Sequence, residues 1–119
     1  MEQFRFMDLE IWHEAVDIND TMYDLADKMI EDKSFRMAEQ LRGASLSISN
    51  NIAEGSGSFS NKDFANFLNY SHRSVFEVAN IICIAQRRDY ISDEILIELL
   101  DKLDKLGRKI TNFRKAIIK

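Results

Sequence analysis

A chain of 119 residues, 45% hydrophobic and 30% charged, is one domain of ordinary globular sequence, long enough to bury a core without disulfides or metals. With no proline and only four glycines, it has few places to interrupt a helix. A net charge of −4 speaks against a general nucleic-acid binder, the lone cysteine excludes an internal disulfide, and no apolar run approaches the ~20 residues of a membrane span.

The opening MEQFRFMDLE lacks a signal-peptide layout, and the expected location is the cytoplasm. The first helix is predicted from about Asp8, as its N-cap, to about Ile30. Ile11, Ala15, Ile18, Met22, Leu25 and Met29 follow the four–three spacing of a helix face. A second seam of Trp12, Val16, Tyr23, Ala26 and Ile30, broken by Asn19, widens that face. The excess suits either deep burial or a subunit contact.

EDKS forms the first joint, with Ser34 as a candidate N-cap. The second helix carries Met37, Leu41, Ala44, Ile48 and Ile52 on one face, and Gly55 reads as the residue that ends it. After GSGSFS, Ser60 caps the third helix, with Asp63 at the capping-box position. That helix uses Phe64, Phe67, Leu68, Val75, Val78, Ala79 and Ile82. Cys83, in the run Ile81-Ile82-Cys83-Ile84, reads as a small core residue. RRDYIS is the third joint, and Ser92 opens the fourth helix. Leu96, Leu99, Leu103, Leu106, Ile110, Phe113 and Ile117 keep a strict three–four alternation along it. Long amphipathic helices with short joints predict an all-α fold, an antiparallel up-and-down four-helix bundle filling residues 1–119 as a single domain.

Charge is unevenly distributed. Residues 1–33 hold ten acids against three bases, whereas 101–119 hold seven bases against two acids. The two ends neutralise each other within a bundle or pair between subunits.

SISNNIAEG, residues 47–55, is unusually polar for a helix interior. Helical spacing puts Gln40, Gly43, Ser47, Asn51 and Glu54 on one side, beside the apolar seam. The small Gly43 and Ser47 are expected to let a neighbouring helix come close, with Ser74 and Glu77 on the third helix as correspondents. The expected role of Gln40, Ser47, Asn51, Glu54, Ser74 and Glu77 is a structural polar network that fixes helix register. An anion site at EGSGS lacks the P-loop lysine and the strand-to-helix turn that such chemistry uses.

The same stretch resembles SIPSNIAEG, a hallmark of the four-helix-bundle family of 23S rRNA intervening-sequence proteins. Leu9, Trp12 and Ala15 match its opening L-x-x-W-x-x-A block. Gln40, Leu41, Arg42, Ala44, Ser47 and Ile48 resemble QLRRAAVSI. Phe67, Leu68, Ser74 and Glu77 match a further block, and RDYIS resembles a GYI turn. The resemblance implies a small bundle that assembles into a homo-oligomer, typically a ring of five. A similar protein, the accessory variability protein of diversity-generating retroelements, works with a reverse transcriptase and nucleic acid. Two departures stand out. Ser49 replaces a frequent proline, which predicts a less kinked second helix, and Gly43 replaces a frequent second arginine.

Glu10-Ile11-Trp12-His13 is an E-x-x-H, but a di-iron bundle needs a second such motif and two more inward glutamates. Neither a metal nor a cofactor is expected, and Cys83, His13 and His72 have no triad spacing. The predicted function is a non-catalytic, homo-oligomeric assembly or adaptor module. The alternative is an RNA- or DNA-binding accessory protein that contacts phosphates through Arg42, Arg73, Arg87, Arg88, Lys102, Lys105, Arg108 and Lys109.

Overall fold

The computed structural model describes residues 3–119. After a 3-10 turn at Arg5–Asp8 come α1 (Glu10–Glu31), α2 (Phe35–Ser56), α3 (Asn61–Arg87) and α4 (Asp93–Ile117). Each helix packs antiparallel on the next, and α1 and α4 close the circuit along the thinnest seam. The bundle measures 44 × 24 × 23 Å, as helices of 22 to 27 residues require at about 1.5 Å per residue.

The four predicted apolar stripes meet in one continuous core. Met22, Met29, Leu41, Ile48, Ile52, Phe64, Leu68, Ile82, Leu103 and Ile110 are sealed within it. The second seam of α1 is accounted for within the same chain. Ala26 is buried, Trp12 packs on Phe6 at 4.9 Å between centroids, and Tyr23 lies beneath the Arg42 guanidinium. No large apolar side chain of α1 is exposed.

The helix starts differ in how they are capped. Ser60 and Ser92 accept from the backbone N–H of Asp63 and Ile95, as their residue types dictate. Asp8 falls inside the 3-10 turn, and the extended residue before α1 is Leu9, which has no side-chain oxygen to offer. Ser34 stands at the N-cap position of α2 but makes no capping bond. Its hydroxyl lies 2.7 Å from that of Tyr90, which donates to Asp32 at 2.6 Å. This arrangement ties the α1–α2 joint to the α3–α4 joint. Both joints turn through a left-handed residue, Lys33 (φ 62°) and Asp89 (φ 66°). In each, the next residue's N–H reaches five back along the helix: Ser34 to the Met29 carbonyl and Tyr90 to that of Ala85.

α2 runs unbroken through Ser49, whose hydroxyl donates to the Leu46 carbonyl at 3.2 Å. Gly55 does not end it: the helix continues to Ser56, and Gly55 is buried against α3. A Cβ at Gly55 would sit 2.6 Å from Phe67 Cβ and 2.8 Å from Phe64 Cδ1. The glycine therefore sets how closely α2 and α3 approach. Gly43 has no such role, since a Cβ there would meet nothing within 4 Å.

Candidate functional site

The polar stretch of α2 faces α3. Ser74 donates to Ser47 Oγ at 2.9 Å, and Asn51 Nδ2 donates back along its own helix to the Ser47 carbonyl (2.8 Å) and hydroxyl (3.0 Å). One turn deeper, buried Ser71 donates to the Ile48 carbonyl at 2.8 Å. These bonds hold α2 and α3 in register above the Gly55 contact. Of the six residues expected in the network, Ser47, Asn51 and Ser74 come together. Gln40, Glu54 and Glu77 are exposed and make no hydrogen bond among the described residues. Asn51 braces Ser47 and does not itself cross to α3. Gln40 and Glu77 flank Ser47 in a shallow groove that also takes in Gly43.

Two members of this polar system escaped the sequence reading. Ser71 occupies a buried position on the Phe64–Leu68–Val75–Val78 face of α3. Ser45 is buried on α2 and donates to Asn19 Oδ1 on α1 at 2.9 Å. The signal for the second was present: Asn19 interrupts an apolar seam, and a polar residue in such a place needs a partner.

The cations of the nucleic-acid reading are largely engaged. Arg42 holds Asp27 at 2.8 Å and Glu39 at 3.5 Å. On α4, Lys105 and Arg108 pair with the acids one turn before them, Asp101 at 2.9 Å and Asp104 at 3.0 Å, and Lys102 lies 3.8 Å from Glu98. Lys109 crosses to α1, donating to Glu10 at 2.8 Å and Glu14 at 3.0 Å. The acidic start and the basic end of the chain thus neutralise one another at this point. The Lys109 hydrogen bond, and then its charge, hold the Glu10 carboxyl below the usual carboxylate value. Hydrogen bonds to Glu10 and Glu14 raise Lys109 above the usual lysine value. Arg73, Arg87 and Arg88 form no ion pair among the described residues.

Glu10 is occupied by Lys109, and His13 Nε2 lies 2.7 Å from the Met7 carbonyl, so the two ends of the E-x-x-H point to separate partners. Among the described residues no three metal-ligating side chains gather. Cys83 is exposed, contrary to its core assignment. A helix turns about 100° per residue, so four consecutive apolar residues cannot all face inward; Ile81 and Ile82 point to the core, Cys83 and Ile84 away from it.

A larger concavity lies elsewhere, between α3 and α4, an open groove of about 600 Å³. Val75, Ala79, Leu100 and Leu103 line its apolar part, and Gly107 deepens it. Phe76 stands on its edge, 67% exposed, and Ile97 lies one turn before Leu100 at 68%. No described helix is long and apolar enough to cross a membrane.

An all-α bundle with a serine-bridged α2–α3 seam and an open α3–α4 face belongs to the class of small four-helix-bundle domains. Residues 7–112 match the model of the 23S rRNA-intervening sequence protein family, and the chain belongs to that family. It is also similar in fold to a crystal structure from Bacteroides thetaiotaomicron, described as a protein of unknown function from the S23 ribosomal protein family. The TM-score is 0.82 at 20% identity, over 88% of this chain and 98% of that one. No curated protein matches the sequence significantly.

Proposed function

We propose that the protein is a non-catalytic assembly module that works in the cytoplasm as a homo-oligomer and presents a rigid helical surface to other molecules. The observation that carries this reading is the outer face of α3 and α4. Phe76 and Ile97 remain exposed beside the α3–α4 groove of a bundle whose core is well sealed. Apolar side chains grouped in this way mark contact surfaces. A ring of five is the expectation from the family resemblance, and a heterologous contact between unlike patches closes such a ring.

The rival reading, a nucleic-acid accessory protein, has less support, because five of its eight candidate cations already face carboxylates. Light scattering at micromolar concentration tests the assembly reading. The expected particle is a multiple of 13.9 kDa, and a particle of 13.9 kDa removes the reading. Titration with structured RNA across a salt series tests the rival, which requires tight binding that weakens steeply with salt.

A further inference from the structure

We draw no further inference here: the strongest candidate, the open cleft between the start of α3 and the end of α4 that Lys62, Arg114 and Lys119 line with no carboxylate among the described residues, rests on two exposed lysines and an arginine already donating to the Ala65 carbonyl, and nothing in the structure shows that it holds a ligand.

Discussion

Replacing Gly55 by alanine isolates the contact that sets the α2–α3 distance. Two effects oppose each other. Alanine in a helix interior is favoured over glycine by about 1 kcal/mol. Against this, the new methyl would lie 2.6 Å from Phe67 Cβ, where carbon atoms normally rest about 3.5–4.0 Å apart. Phe67 Cβ cannot swing aside, because it moves only with its own helix. Phe64, 2.8 Å away and almost fully buried, has little room either. The two helices must separate by about 1 Å, and overpacking of that kind costs about 1–3 kcal/mol. Since a rigid Cβ is the obstacle, the cost falls in the upper part of the range and the net loss is about 1–2 kcal/mol. Gly43→Ala is the control. Nothing stands within 4 Å of its Cβ, so only the propensity gain of up to about 1 kcal/mol remains. Thermal denaturation followed by circular dichroism should therefore move in opposite directions for the two variants. For a chain of this size each kcal/mol corresponds to roughly 3–6 °C. If Gly55→Ala melts as high as Gly43→Ala, the close approach of α2 and α3 does not govern stability and the reasoning fails.

Leu103→Ala should cost about 2–5 kcal/mol in urea unfolding, because Leu103 is sealed in the core; a loss under about 1 kcal/mol would show a loosely packed α4. Tyr90→Phe removes the hydroxyl that joins Asp32 and Ser34, and chemical denaturation should register a loss of about 0.5–1.5 kcal/mol. No change there means that water replaces the tie at no cost. Lys109→Gln breaks the α1–α4 ion pairs, and its effect on melting temperature should depend on pH. The raised Lys109 contributes fully below the ordinary lysine pKa and loses its contribution as pH climbs through the raised value. The depressed Glu10 contributes above the ordinary carboxylate pKa and loses its contribution as pH falls through the lowered value. The gap between parent and variant should be level from about pH 5 to 10, shrink beyond either side, and narrow with added salt. A gap independent of pH and salt would assign the effect to packing of the lysine stem instead.

The helices were legible because their apolar spacing is regular and their joints are short. Ser60 and Ser92 were legible as caps because serine before an acidic first turn has one favourable local use. The polar stretch in α2 was legible as a seam, yet its members were not. Glu54 shares a face with Asn51 by spacing but is exposed, and spacing along one helix does not show how far the neighbouring helix covers that face. The role of Gly55 was hidden for a different reason. Glycine suits a helix end and a helix crossing equally, and only the position of Phe67 on another helix separates the two uses. The partners of Lys102, Lys105 and Arg108 follow an i, i+4 rule and could have been read directly from Glu98, Asp101 and Asp104. The α3–α4 groove could not, since it depends on how two helices splay.

The seam between α1 and α4 also bears on the order of folding. Every other helix pair joins neighbours in sequence, whose association closes only a short loop. Lys109 meets Glu10 across 99 residues and Tyr90 meets Ser34 across 56. Closing long loops costs entropy that nearby contacts must first offset. The helical hairpins should therefore be in place at the transition state, and the α1–α4 seam should join afterwards. Lys109→Gln then speeds unfolding and leaves the refolding rate unchanged, whereas a lesion at Gly55, inside the α2–α3 hairpin, slows refolding itself.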